Sequence, residues 1–405
     1  MTHAVALLGP YATGWLDLLL RWLHVIAAIA WIGGSFYFIA LDNHLEPPQD
    51  ERDVAAGVGG EAWEIHGGGF YVVKKFRVAP PRLPERLHWF KWEAYTTWLS
   101  GFSLFVVLYY FHARTYLIDP GVADISPRVA VAISVGLLVL AWVVYDVLCR
   151  VFERRELVLA VCVAALSIVT AYGVGRLFAP RAAYIQVGAM LGTIMVANVF
   201  FNIIPAHHKL IAAKEAGREP DPRPGLQAKQ RSVHNNYLTL PVLFAMLSNH
   251  FAFTYGHAHA WLVLVALMAI GAWIRHFFNL RHRGRTVWWI PVTAALGLIA
   301  LGFAIRPDTI PSGATNAAPV PFALVQSIVA RRCAFCHSER PKSTAFTTAP
   351  MGIRFDTPQQ IAAQASAIRQ QVVDAKAMPL GNATGMTQAE RDTLGTWIRQ
   401  GAHIR

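Results

Sequence analysis

The sequence predicts an all-α protein in which an eight-helix integral membrane domain precedes a small helical C-terminal domain. Of the 405 residues, 55% are hydrophobic and 15% are charged, whereas soluble domains have about 25% charged residues. Eight stretches are mainly apolar, and the composition becomes polar after residue 306. The basic residues lie in short runs between apolar stretches, which excludes the single basic face of a nucleic-acid-binding protein.

Each apolar stretch is long enough to cross about 30 Å of hydrocarbon as a helix with a rise of 1.5 Å per residue. No basic segment precedes Asp17, and the first apolar run is too long for a signal peptide, so we expect a retained first helix. The predicted spans are residues 15–41, 93–112, 129–149, 157–178, 183–205, 237–255, 260–281 and 286–305.

The Lys and Arg residues, which give a net charge of +12, are distributed unequally between the two sets of connections. Seven lie between helices one and two, six between five and six, and three each in connections three–four and seven–eight. The other connections carry two, two and none. By the positive-inside rule the basic connections are cytoplasmic. This predicts a multi-pass protein of the bacterial inner (cytoplasmic) membrane with a periplasmic N-terminus and C-terminal domain.

The composition defines three predicted segments. Residues 1–306 form the membrane domain, and residues 307–320 form a linker rich in Pro, Ser, Gly, Thr, Asn and Ala. Residues 321–405 form the periplasmic domain. A domain of about 85 residues has little core of its own, and a covalent cofactor would stabilise it.

The string Cys333-Ala334-Phe335-Cys336-His337 is typical of covalent attachment of one haem c. Two thiols at this spacing form thioethers with haem, and the following histidine is the proximal iron ligand. Met378 follows His337 by 41 residues, as the sixth ligand does in class I cytochromes c. A zinc or redox motif is the alternative reading of the string, and Met386 and Met351 are alternative ligands.

The end of the sequence fits a class I cytochrome c domain. Thr387 and Glu390 have the spacing of a capping box, which predicts the start of a helix. Leu394, Trp397 and Ile398 then follow at a helical spacing suited to packing on the helix that carries the attachment site. His/Met ligation predicts electron transfer in place of oxygen binding.

Polar side chains inside the predicted spans indicate functional sites, because they are costly in lipid. His24 lies about midway along helix one beside small residues that allow close approach. It is either a haem ligand or redox-site wall, or a histidine that packs helices together. Further polar residues concentrate in helices five to seven, where anchoring at the membrane interface is the alternative to catalysis: Asn198, Asn202, His207, His208, His234, Asn235, Asn236, Thr239, Asn249, His250, Arg275, His276 and Asn279.

The first cytoplasmic connection carries two further candidate histidines. His66 precedes Gly67-Gly68-Gly69, and His88 lies three residues before Lys91. The three glycines allow either close approach to a ligand or a simple turn. No Lys-Ser or Lys-Thr pair follows them, so this is not a phosphate-binding loop.

With these motifs the sequence resembles the bacterial membrane-bound urate oxidases, or urate hydroxylases, in which an eight-helix domain is fused to a cytochrome c. The resemblance covers essentially the whole chain. Helix one is also similar to membrane protoporphyrinogen oxidases, in which the equivalent histidine is associated with haem b. The matching segments are residues 21–24, 31–36, 63–70, 87–95, 234–237, 248–250, 333–337, 378–379 and 395–398.

The resemblance implies oxidation of urate to 5-hydroxyisourate, with water as the source of the hydroxyl group. Electrons would pass to the cytochrome c domain, and from there to another cytochrome c or a terminal oxidase of the respiratory chain. A membrane cytochrome that relays electrons from a quinol or porphyrin, without urate chemistry, is the alternative function.

Urate is oxidised most readily as an anion, so the site requires a cationic group and a base. Arg275 and Lys91 are the cationic candidates. The candidate bases are His66, His88, His208 and His234. Asn202, Asn235 and Asn236 are the candidates for hydrogen bonds to the purine.

A site formed by these groups would lie about one membrane thickness, roughly 30 Å, from the c haem. Direct electron transfer is implausible over that distance. Either the urate site lies in the outer half, near His250, or a second redox centre bridges the gap. A haem b held by His24 and a histidine of helices five to seven, with His250 as a candidate, would be such a centre.

Overall fold

The structure is a computed structural model that describes residues 10–153, 155–306, 318–343, 346 and 348–404. A helix occupies each of the eight predicted apolar stretches. The helices of residues 10–306 are α1 (Pro10–His44), α2 (Glu51–Ala55), α3 (Trp92–Phe105), α4 (Ala113–Tyr116), α5 (Pro127–Val151), α6 (Glu156–Val174), α7 (Pro180–Ala197), α8 (Ile204–Glu215), α9 (Arg223–Leu247), α10 (Ala252–Tyr255), α11 (Ala260–His282) and α12 (Trp289–Ala304).

Five helices in the described part of the chain are long and apolar enough to cross a membrane. They make a multi-pass membrane protein plausible, whereas the number of eight crossings stays a prediction. α7 is buried on nearly every face and therefore lies at the centre of the helices. The five segments are Gly14–His44, Pro127–Val151, Glu156–Val174, Pro180–Glu215 and Ala260–His282.

Two helices run well beyond their predicted bounds. π-helical turns over Asn198–Ile203 join α7 to α8, so the helix continues past Pro205 to Glu215. α9 begins at Arg223, fourteen residues before the predicted start. Its polar first half is helical because it packs against its neighbours, with Arg231 and Asn235 buried. Hydropathy alone assigns that half to a loop.

The all-α prediction is wrong for the first connection, which forms an antiparallel hairpin of β1 (Val58–His66) and β2 (Gly69–Phe76). Gly67 and Gly68, with φ of 57° and 81°, form the turn. A two-residue turn of this kind requires positive φ at both positions, which glycine adopts without strain. Of the two readings of the glycine run, the structure shows the turn.

The C-terminal residues form a separate helical unit with its own core. The predicted capping box is confirmed, because Thr387 and Glu390 bond each other's backbone at the start of α16. Trp397 packs on Phe322 with ring centroids 6.0 Å apart. The predicted linker lies largely outside the described residues. The helices of this unit are α13 (Phe322–Arg332), α14 (Pro358–Ala363), α15 (Ala365–Ile368) and α16 (Gln388–Arg399).

Candidate functional site

A buried polar cluster lies between α9 and α11. Arg275, Asn279 and His282 are spaced i, i+4 and i+7 along α11 and therefore share one face of the helix. The side-chain oxygen of Asn236, on α9, accepts hydrogen bonds from Arg275 Nε at 2.8 Å and from Asn279 Nδ2 at 3.1 Å. Asn236 thus fixes the positions of both α11 side chains.

α1 closes this cluster from the third side. The Asn236 amide donates to the backbone oxygen of Ser35 at 3.3 Å, and the Phe36 ring centroid lies 4.0 Å from the guanidinium carbon of Arg275. A cation over an aromatic face is stabilised by the ring quadrupole. The side chain of Arg275 is therefore held in a defined orientation.

The Arg275 cluster contains unused hydrogen-bonding capacity. In the part of the chain that the structure describes, five buried side-chain polar atoms lack a partner. Three of them lie on this one face of α11: Nη2 of Arg275, Oδ1 of Asn279 and Nδ1 of His282. Leaving a buried polar atom unpaired costs about 1–3 kcal/mol. Unpaired donor and acceptor atoms on one face are groups that a bound polar ligand, ion or water would satisfy.

The charge of Arg275 is also uncompensated. The side chain is only 4% exposed, and among the described residues no carboxylate forms an ion pair with it. Buried charges in proteins are normally paired. The Arg275 cluster therefore has the features expected of an anion-binding site.

A second buried network lies next to the Arg275 cluster and joins α5 to α9. Arg231 forms an ion pair with Asp146 at 2.8 Å, and both side chains are at most a tenth exposed. Arg150, one turn along α5, also binds Asp146 at 2.7 Å. The negative charge of Asp146 is thus compensated by two cations, whereas the positive charge of Arg275 has no carboxylate partner among the described residues.

Neutral groups extend this network to the π-helical turns after α7. Asn198 donates to the Tyr145 hydroxyl at 3.0 Å and to Asn235 at 2.9 Å. The Tyr145 hydroxyl also bonds Nδ1 of His234 at 2.8 Å, and Asn235 donates to the backbone of Met195 at 2.9 Å. The named side chains bond one another, so the network braces the helices around the Arg275 cluster.

Of the other predicted site residues on this side, Asn202 donates to Asp146 at 3.5 Å, and the remaining ones do not join these clusters. His208 is exposed and stacks on Trp89, with ring centroids 4.8 Å apart, and Lys91 lies over the same indole at 5.2 Å. His66 is exposed at the turn of the hairpin, and His88 is exposed in the segment before α3. The structure therefore brings together Arg275 with Asn236, and His234 with Asn235.

His24 is held against α3. Its Nδ1 lies 3.0 Å from the backbone oxygen of Thr97 and 3.2 Å from the Ser100 hydroxyl. A β-carbon at Gly101 would lie 2.7 Å from His24 Cε1, so glycine makes room for the ring. An Nδ1 bond to a backbone carbonyl is the usual second-shell contact of a metal-ligating histidine, and it equally satisfies a packing histidine.

A third polar cluster lies at the opposite end of the membrane helices. Arg181 donates to the Asn249 side chain at 2.9 Å, which in turn donates to the Tyr109 hydroxyl at 3.2 Å. The guanidinium of Arg181 also lies over the Tyr116 ring. His250 is exposed beside this cluster.

The string from Cys333 to His337 follows α13 directly. Nδ1 of His337 lies 3.0 Å from the backbone oxygen of Ile353, a contact that leaves Nε2 as the nitrogen for an iron. Cys333 packs against the unit's apolar core, and burial raises the pKa of its thiol to about 12. Burial also raises the pKa of the Cys336 thiol. This donor set, beside an apolar core, fits a covalently attached haem.

The three candidate methionines occupy different environments. Met378 is half-buried against the apolar core, and its backbone oxygen accepts from the buried Arg391 at 2.7 Å. Met386 is 3% exposed, and Met351 is 94% exposed. Arg391 therefore braces the loop that carries Met378.

The Met378 loop packs directly on the membrane helices. A β-carbon at Gly256 would lie 2.1 Å from the backbone oxygen of Ala375, and one at Gly381 would lie 2.7 Å from that of Thr115. Such approaches are possible only because both residues are glycine. Thr115 and Gly256 lie in two of the connections that carry few basic residues. This is the same end of the helices as Arg181.

The amino-acid sequence also matches a known protein family. A family model described as urate oxidase N-terminal matches residues 10–306, which include every helix of the membrane bundle. The chain belongs to the urate oxidase N-terminal family. No curated protein and no solved structure matches the chain.

Membership in the urate oxidase N-terminal family relates this protein to urate chemistry and indicates an oxidoreductase. The matched region contains the Arg275 cluster, the Asp146 network and His24. The C-terminal unit of this urate oxidase-family protein lies outside the match.

Sequence reasoning missed several residues that the structure places in these clusters, among them Tyr145, Asp146, Arg231 and His282. Asp146 lies inside a predicted span, and a carboxylate there is itself a signal of function or of a buried partner. Arg231 was assigned to a cytoplasmic connection because its helix is polar. His282 carried no signal except its spacing of seven residues from Arg275.

The prediction that Met378 is the sixth iron ligand can be tested by spectroscopy. Replacing Met378 with Ala should abolish the methionine-to-iron charge-transfer band of the oxidised protein, because the sixth ligand is lost, while the pyridine haemochrome of haem c remains. Met386→Leu is the matched control and should keep the band. A charge-transfer band that survives in Met378→Ala would contradict the assignment.

Proposed function

We propose that this protein oxidises urate to 5-hydroxyisourate and passes the electrons to a c-type haem in its C-terminal unit. The urate monoanion and one water give 5-hydroxyisourate, one proton and two electrons. The observation that carries the proposal is the set of three unpartnered polar atoms on one face of α11, one of which belongs to the buried and uncompensated guanidinium of Arg275. Family membership supports urate as the substrate.

The Arg275 cluster complements the edge of a purine anion. Arg275 Nη2 is a free donor for a carbonyl oxygen, and Asn279 Oδ1 is a free acceptor for a ring N–H. The Arg275 charge would favour the anion, which is the form that loses electrons most readily. In this proposal Asn236 is a positioning residue, because its side-chain oxygen is already occupied by Arg275 and Asn279.

The proton released in the reaction needs an acceptor near the bound anion. His282 Nδ1 is buried, unpartnered and on the same face as Arg275, so we assign it the role of base for the attacking water. Nδ1 of His234 is bonded to Tyr145, and His66, His88 and His208 are exposed. These four histidines are therefore weaker candidates.

The electrons must travel along the helices to the other end of the bundle. Arg275 lies fifteen residues into α11, about 22 Å from the end of that helix next to the Met378 loop. When bound, a haem c accepts one electron at a time and passes it on to a respiratory cytochrome or oxidase. Packing of the Met378 loop on the helices would hold such a haem in a fixed position relative to the membrane domain.

If Arg275 binds the urate anion, its replacement should slow the reduction of haem c by urate. Under anaerobic conditions urate should reduce the c-type α-band of the purified protein. Arg275→Gln should slow this reduction by about a hundredfold, because one charged donor is lost, while Arg285→Gln, at an exposed position, should not. Reduction by a quinol, with none by urate in the wild-type protein, would favour the relay function.

The distance between the sites predicts a second redox centre. We propose a haem b on His24, because the Nδ1 contact with Thr97 leaves Nε2 available and Gly101 accommodates the ring. The pyridine haemochrome spectrum should then show haem b and haem c together, and His24→Ala should lose only haem b. A spectrum with haem c alone would remove this centre and favour an outer urate site near His250.

If the close contact at Gly256 is needed for electron transfer between the membrane domain and the C-terminal unit, a larger side chain there should slow that transfer. Gly256→Ala places a methyl group against Ala375 and should slow urate-dependent reduction of haem c at least several-fold. The haem c spectrum itself should not change. Gly302→Ala, which meets no neighbouring atom within 4 Å, is the control. Unchanged reduction kinetics in Gly256→Ala would show that this contact does not matter for electron transfer.

A further inference from the structure

The outer face of the hairpin carries four large apolar side chains close to its turn. Trp63 pairs with Val72 and Ile65 pairs with Phe70 across the two strands, so all four project from the same face. We call these residues the apolar tip face. Their exposed fractions are 69% for Trp63, 41% for Val72, 75% for Ile65 and 76% for Phe70.

The opposite face of the hairpin is fastened to α1. Tyr37 of α1 donates its hydroxyl hydrogen to Glu64 at 2.6 Å, and backbone bonds join Glu46, just after α1, to Glu61 at the base of β1. The apolar tip face therefore points away from α1. An isolated two-stranded hairpin is only marginally stable in water, so a second partner on the open face would stabilise it.

The direction of the hairpin identifies that partner. The chain leaves α1 at His44, and Glu64 of β1 contacts both His44 at 3.6 Å and Tyr37 at 2.6 Å, so the strand meets the end of the helix. From Glu61 to His66 the strand advances about 16 Å. α1 is a candidate membrane span from Gly14 to His44, so the tip lies alongside the end of a span.

Further exposed aromatic side chains lie near this end of α1. Phe90 is 65% exposed and packs on Phe38 of α1 with ring centroids 4.9 Å apart, and Trp92 is also 65% exposed. The base of the hairpin is polar, with Lys74 bonded to Asp53. An aromatic tip followed by a charged base matches the order of layers in a bilayer interface, where Trp and other aromatic rings concentrate.

We propose that the apolar tip face is seated in the interfacial layer of the lipid bilayer, at the end of α1 where the hairpin lies. The hairpin is then a membrane anchor in addition to the spanning helices. This inference depends on α1 crossing the membrane and is independent of the urate reaction.

The test is the accessibility of nitroxide spin labels in the full-length protein in lipid nanodiscs. Cys149 and Cys162 are first replaced with Ala, and haem attachment through Cys333 and Cys336 is verified by pyridine haemochrome. Labels are then placed singly at Ile65→Cys and Phe70→Cys. A matched label at Glu51→Cys, exposed in α2 at the base of the hairpin, is the control.

Power saturation with molecular oxygen and with a water-soluble nickel chelate gives the environment of each label. We expect the labels at 65 and 70 to have an oxygen-to-nickel accessibility ratio several-fold above that of the label at 51. A low ratio, with the nickel chelate reaching both labels, would place the tip in water and overturn the proposal. Exclusion of both reagents would also overturn it, because the face would then be covered by protein.

Discussion

Asp146 and Arg231 form an ion pair at 2.8 Å between α5 and α9, in a region where neither side chain reaches much solvent. Charges in an apolar environment are tolerated only when they are compensated, and breaking a buried pair costs about 3–5 kcal/mol. This constraint brings the polar first half of α9 into the bundle. Once it is there, Asn235 meets Asn198, and Asn236 meets Arg275 and Asn279.

Arg231 and Arg275, which are both buried, differ in one decisive respect. Arg231 has a carboxylate partner, whereas Arg275 is held by an amide oxygen and an aromatic ring. The first arrangement is complete without a ligand. The second holds a cation in place without neutralising it, and in the proposed function the anionic substrate would supply the missing charge.

Much of the architecture could be predicted from the sequence, because long apolar runs and the capping box at Thr387 are local signals. The early start of α9 could not, because it depends on packing against other elements, whereas the hairpin does have a local signal in Gly67-Gly68, although the glycines alone did not distinguish a turn from a ligand-binding loop. Arg275 and Asn236 were predicted from residue type alone. Their contact could not be predicted, since it joins residues 39 positions apart on two helices whose relative rotation no local pattern specifies.

In the proposed electron-transfer function, the packing of the Met378 loop against Thr115 and Gly256 would also restrict the routes by which electrons leave the protein. The surface of the C-terminal unit that bears this loop is occupied by the chain's own membrane helices, so a soluble acceptor cannot use it. In that proposal an acceptor would have to approach from another side, such as the Cys333–His337 string, where Phe335 is 40% exposed. The C-terminal unit would then receive electrons on one face and donate them from another. Electron donation would not require this unit to separate from the membrane helices.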